Sequence, residues 1–118
     1  MHIYEPVPEY FSALEKVWRD QVARRGWRVE LHMQGLGLSH RNILLSPADL
    51  KGQGTFGMRD TEADDEEKVE LEIIEATVAV NNITGGTEDL DLLHVNCEGC
   101  EYELLENIIK SQTQHRIK

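Results

Sequence analysis

The run Leu90-Asp91-Leu92-Leu93-His94-Val95-Asn96 constrains this chain more than any other stretch. It is nearly continuous in apolar character and leaves no alternating solvated face. That pattern predicts a strand buried on both faces, as in a parallel sheet covered by helices. After Gly99 the period changes, and Leu104, Leu105, Ile108 and Ile109 recur at helical spacing. A buried strand followed at once by a helix predicts the α/β class. In open α/β sheets the chemistry collects at the carboxyl ends of the parallel strands. Two places qualify: Glu5, at the end of "HIYE", and the segment from Asn96 to Glu101.

The rest of the chain fits that class. "HIYE" reads as a short strand, and Pro6 and Pro8 turn it into a helix over Pro8–Arg25. Phe11, Leu14, Trp18 and Val22 form one stripe of that helix. Glu9 in its first turn and Arg24 and Arg25 in its last suit the helix dipole, and Gly26 is a natural stop. "WRVELHM" alternates as a strand with Val29, Leu31 and Met33 on one face. "QGLGLSHRN" predicts a glycine-containing turn. "ILLS" is a second short strand ended by Pro47, and "KGQGTFGM" a loop with three glycines. "KVELEII" returns as a strand, forming a hairpin-like insertion with the one before it. "EATVAVNNI" fits either a strand or a short helix. "TGGTED" is a loop, and the polar tail "SQTQHRIK" is expected to fray. With 118 residues, 40% of them hydrophobic, the chain suffices for one domain with one core.

The net charge of −10 would repel a phosphate backbone, which argues against nucleic acid as a partner. Nine carboxylates fall between Asp60 and Glu75, which reads as a solvated loop feeding a strand. A calcium loop would need a central glycine, and this run has none. No apolar run approaches the ~20 residues of a membrane span. "MHIYEPVPEYF" lacks the basic start and apolar stretch of a signal peptide. A soluble cytoplasmic domain is the expectation.

Cys97 and Cys100 lie in "HVNCEGCE". A structural zinc needs four ligands, and the usual second pair is missing. A redox Cys-x-x-Cys opens a helix, as here, but Glu98 and Glu101 would raise the thiol pKa. A disulfide at this spacing would close only a tight loop, and two cysteines fit a reducing compartment. The plainer expectation is two small buried residues at a strand-to-helix turn. Asn96, Glu98 and Glu101 then stand out as an amide and two carboxylates on the rim of the sheet. Glu101 alone would be explained by its place at a helix N-terminus.

Two segments, "IYEPVPEYFSALEKV" and "EDLDLLHVNCEGCEYELLENI", resemble the FkbM family of S-adenosylmethionine-dependent methyltransferases. "VELHMQGLGLS" between them is similar to that family's strand and turn beside the adenine. The resemblance implies a partial Rossmann-like class I methyltransferase sheet. It implies that Glu5 hydrogen-bonds the ribose hydroxyls, which suits a carboxylate able to accept from a cis-diol. It implies that Gly35, Leu36 and Gly37 border the adenine. Asn96, Glu98 and Glu101 match the motif nearest the methyl transfer, where a base takes a proton from a hydroxyl acceptor.

Two departures qualify the likeness. His94 and Asn96 stand where the family usually has lysine and aspartate, and an amide is no base, so that role falls to Glu98 or Glu101. The family's first strand and glycine-rich turn would precede "IYEP", so the resemblance implies a partial domain over residues 1–118. In the family's sheet that strand lies between "HIYE" and "LDLLHV", which must then pair with each other or leave a slot. The implied activity is methylation of a small-molecule, sugar or lipid-like hydroxyl. The alternatives are a non-catalytic interaction domain on the same scaffold, and a zinc- or thiol-dependent module using Cys97 and Cys100.

Overall fold

The computed structural model describes residues 1–46, 68–97 and 100–118. The glycine loop at 51–58, the first half of the acidic run, and Glu98 with Gly99 fall outside them. Among the described residues the fold is mixed α/β, with three α-helices and two small sheets.

The first 33 residues build a strand–helix–strand unit. Strand β1 (His2–Tyr4) pairs in parallel with β2 (Glu30–His32), in the register His2–Glu30, Ile3–Leu31, Tyr4–His32. Helix α1 (Pro8–Arg25) crosses between them. Proline opens the helix at a position whose N–H has no intrahelical partner. Gly26 closes it at φ 66°, where a side chain would be strained, and its N–H reaches the Val22 carbonyl at 2.9 Å. These bounds match the sequence pattern. The helix nevertheless buries none of its residues, and its stripe of Phe11, Leu14, Trp18 and Val22 is only half-covered. The reason is length. An 18-residue helix runs ~27 Å against three-residue strands of ~10 Å, so it overhangs the sheet it covers.

The second sheet has the order β3-β5-β4, where β3 is Gly35–Gly37, β4 is Arg41–Leu45 and β5 is Val69–Glu75. The central strand β5 runs parallel to β3 and antiparallel to β4. Period-2 alternation puts Ile43 and Leu45 of β4 on the same face as Leu71 and Ile73 of β5. These four and Val7 make the first buried cluster, with Leu45 and Ile73 fully enclosed. Val7 comes from the turn between β1 and α1, so it ties the strand–helix–strand unit to the second sheet.

Helix α2 (Ala76–Thr84) continues directly from β5, which resolves the ambiguous "EATVAVNNI" as helix. Helix α3 (Cys100–Lys110) packs against it, and Ala76, Leu104 and Ile108 form the second cluster. Asn107 of α3 is buried and fully engaged. Its Oδ1 accepts the Thr77 N–H at 2.8 Å, and its Nδ2 donates to the Leu38 carbonyl and to Glu75 Oε1, both at 3.1 Å. Thr77 N–H is one of the orphan donors of the first turn of α2, which has no side-chain cap of its own.

Four sequence expectations are settled differently here. Residues 92–97 form no strand, and Leu92 is 78% exposed. Leu93 and Val95 are half-buried because their side chains rest on the α2–α3 cluster, while no neighbouring strand takes their backbone. Segments "HIYE" and "LDLLHV" therefore do not pair; β1 took β2 instead. The tail does not fray. Gln112 takes a left-handed turn (φ 57°) after α3, and Ile117 bridges Leu90 in parallel. Leu90 N–H donates to Arg116 O at 2.7 Å, and Lys118 N–H to Leu90 O at 2.9 Å. Finally, "QGLGLSHRN" does not form a turn throughout, since Gly35–Gly37 is a paired strand.

Asn107→Leu would leave the Thr77 N–H and the Leu38 carbonyl without their partner, and buried orphans cost ~1–3 kcal/mol each. A loss above ~2 kcal/mol is expected in chemical denaturation, while Leu44→Ala on the solvent face changes stability by less than ~0.5 kcal/mol. Similar effects of the two would contradict the assignment of Asn107.

Candidate functional site

A solvent-open groove lies where the two sheets meet. Pro6, Pro8 and Met33 form one wall, and His40, Asn42, Glu70 and Glu72 the other. Pro6 lies two residues past the end of β1 and Met33 directly follows β2, so the groove sits at the carboxyl ends of the parallel pair. The opposite wall is the solvent face of β4 and β5, the alternate residues to the buried cluster. There Glu72 accepts from Gln34 Nε2 at 2.7 Å and contacts His40 Nε2 at 3.2 Å. These two contacts, the Gln34 bond first, hold its carboxyl below the usual glutamate range. Asn42 Nδ2 donates to Glu70 Oε1 at 2.9 Å.

Glu5 follows β1 and directly precedes Pro6, a residue of the groove wall. Its N–H donates to His32 O at 3.0 Å, extending the β1–β2 ladder by one residue. Its Oε1 accepts the Val7 N–H at 2.8 Å. Half-burial pushes the carboxyl pKa up, and the Val7 bond pulls the other way. A carboxylate accepts about four hydrogen bonds, so one contact leaves it capacity for a diol.

The other expected site residues are placed differently. Leu36 is core, packed on the Ala76–Leu104–Ile108 cluster. Gly37 is explained by crowding. A Cβ there would lie 2.9 Å from Ile73 Cγ2 and 3.0 Å from Glu103 Oε2. That carboxylate is held by Arg41, whose Nη2 reaches both oxygens at 2.8 and 2.9 Å. Gly35, also buried, pairs with Ile73. Asn96 is exposed, and Glu101 is half-buried in the first turn of α3. Glu98 lies outside the described residues.

Cys97 and Cys100 are joined in a disulfide, which corrects the expectation of free thiols. The turn into α3 sets their Cα atoms 5.5 Å apart, inside the usual disulfide range. Glu101 Oε2 lies 3.7 Å from Cys97 Sγ, a contact only, since a disulfide sulfur has no proton to donate. Paired in this way the sulfurs supply no thiolate to zinc.

Sequence reasoning missed the groove's His40, Glu70 and Glu72. His40 lies 30 or more residues before the two glutamates, and only the β4–β5 register brings them together. The alternation of "KVELEII" was the available signal that its glutamates share a face. No protein-family model, no curated protein and no solved structure matches the chain. No described helix is long and apolar enough to cross a membrane.

Two substitutions separate packing from chemistry. Gly37→Ala is expected to cost ~1–3 kcal/mol from overpacking; a neutral effect in thermal melts would contradict the crowding. Glu5→Gln keeps a Val7 acceptor and removes a charge disfavoured by burial. The folded pKa of Glu5 is raised, so its ionised form costs stability above that pKa and the cost fades as pH falls through it. The variant should therefore melt above the parent at neutral pH, with the gain shrinking toward acid. A gain that grows on acidification would overturn the sign.

Proposed function

We propose that the chain belongs to a S-adenosylmethionine-dependent O-methyltransferase domain and binds the ribose of the cofactor through Glu5. One observation carries the reading: a parallel β1–α1–β2 unit ends in a half-buried carboxylate, Glu5, next in sequence to Pro6 of the groove wall. A strand end of this kind is where open α/β sheets hold nucleosides. Glu70 and Glu72 on the facing wall favour a cationic ligand such as a sulfonium. Glu101 is the described carboxylate to accept a proton from the hydroxyl of a small-molecule, sugar or lipid-like acceptor.

A second reading is a non-catalytic interaction domain on this scaffold. It is favoured by Tyr102, Leu105 and Ile109, an exposed apolar stripe along α3, and by the open edges of a sheet with only two described strands.

Calorimetric titration of S-adenosylmethionine into the folded chain decides between them. Saturable binding, weakened about tenfold or more by Glu5→Ala, is expected, since a lost charged hydrogen bond is worth ~1.5–3 kcal/mol. A folded chain without binding would sink the methyltransferase reading and leave the interaction domain.

A further inference from the structure

The face of the β1–β2 pair opposite Ile3 and Leu31 carries a second constellation, independent of the cofactor reading. The parallel register sets His2 beside Glu30 and Tyr4 beside His32, and period-2 alternation turns all four side chains to one side. His2 Nδ1 lies 3.1 Å from His32 Nε2 and 3.6 Å from Glu30 Oε2. One donor atom from each of the three residues lies within 4.8 Å of the others. Tyr4 stacks on the His32 ring at 4.4 Å between centroids and 10° between planes, which fixes the imidazole orientation.

Hydrogen bonding alone serves these groups poorly. Two neutral imidazoles at 3.1 Å share one proton. If His32 Nε2 donates it, the lone pair of His2 Nδ1 faces the Glu30 carboxylate. If His2 Nδ1 donates it, that one proton must serve both His32 and Glu30. A cation among the three donors would satisfy every lone pair at once.

We propose that His2, Glu30 and His32 form a binding site for a divalent transition-metal ion of the zinc type. Zinc bonds of ~2.0–2.2 Å at tetrahedral angles set ligand atoms roughly 3.3 Å apart. Two of the three separations, 3.1 and 3.6 Å, bracket that value, and the third lies within 4.8 Å, a gap that side-chain rotation of the exposed Glu30 can close around an ion. Two imidazoles and one carboxylate suit zinc and its neighbours, whereas calcium and magnesium require oxygen ligands. Three protein ligands leave a fourth position for water or a substrate oxygen, the arrangement of a catalytic site as opposed to a closed structural one. The net charge of −10 raises the local cation concentration. The second ligand-rich cluster of the described residues, Cys97, Cys100 and Glu101, lacks free thiolates and does not compete for the ion in this state.

The test is a zinc titration of tag-free protein stripped with chelator, read by calorimetry and by thermal melting, with cobalt(II) as a visible-absorption probe. One equivalent of zinc should bind and raise the melting temperature, and cobalt should give the intense visible bands of a tetrahedral site. His2→Ala and Glu30→Gln should each weaken binding by roughly tenfold or more, the scale at which ligand-set changes act. Glu30 is 71% exposed along its side chain and His2, near the chain start, 25%, and neither belongs to the buried clusters, so both variants should fold. The exposed His94→Ala and His115→Ala should bind as the parent does. No binding, or binding that survives His2→Ala and Glu30→Gln, would overturn the site and leave a plain imidazole–imidazole hydrogen bond. Displacement of zinc by equimolar calcium would likewise overturn the ligand assignment.

Discussion

Asn107 satisfies backbone groups that no local residue can reach, and the C-terminal half of the fold is organised around that contact. Strand β5 passes into α2 with no break, and the first turn of α2 has no capping side chain of its own. The amide of Asn107 supplies the missing acceptor from another helix and, through its NH₂ group, holds the Leu38 carbonyl and Glu75. Three elements are thereby fixed in one geometry: the exit of β3, the β5–α2 junction and α3. The apolar contacts of Ala76, Leu104 and Ile108 bring the same elements together without specifying their register. A buried amide with all its partners present does specify it.

The two sheets divide the work. The β3-β5-β4 sheet holds the better enclosed core, with Val7 reaching into it from the N-terminal unit. The β1–α1–β2 unit is thinner, its helix longer than the strands it covers and its aromatic stripe half-exposed. Its carboxyl end carries Glu5, and its open face carries His2, Glu30 and His32. Burial lowers the His32 pKa, with the nearby His2 adding to it against the pull of Glu30.

Much of the local structure was legible because local signals agreed. Helix α1 had proline at its start, glycine at its end, charges matched to the dipole and a 3.6-residue period, and its bounds are those of the sequence pattern. Strand β5 showed its alternation, and α3 its i, i+4 stripe. Pairing was not legible. The run at Leu90–Val95 reports apolar composition, and Leu93 and Val95 are half-buried as that implies, yet composition does not say which strand offers hydrogen bonds. Here none does beyond the single bridge from Leu90 to Ile117. Gly35 and Gly37 read as a turn because glycine permits one; at Gly37 the requirement was close approach of Ile73 and Glu103, a tertiary fact. Glu5 was singled out from its place after a strand and before proline, and the structure puts it there, after β1. The groove's second wall depends on cross-strand register, which the sequence does not print.

The central claim is that the groove at the carboxyl end of the β1–β2 pair is the ligand site. It is tested most directly by following backbone amide resonances of the isotope-labelled chain during titration with S-adenosylmethionine. The account predicts shifts confined to Glu5 and Val7, to Met33, and to His40, Glu70 and Glu72 on the facing wall. Shifts confined to the Tyr102–Ile109 stripe, or none at saturating cofactor, would contradict it.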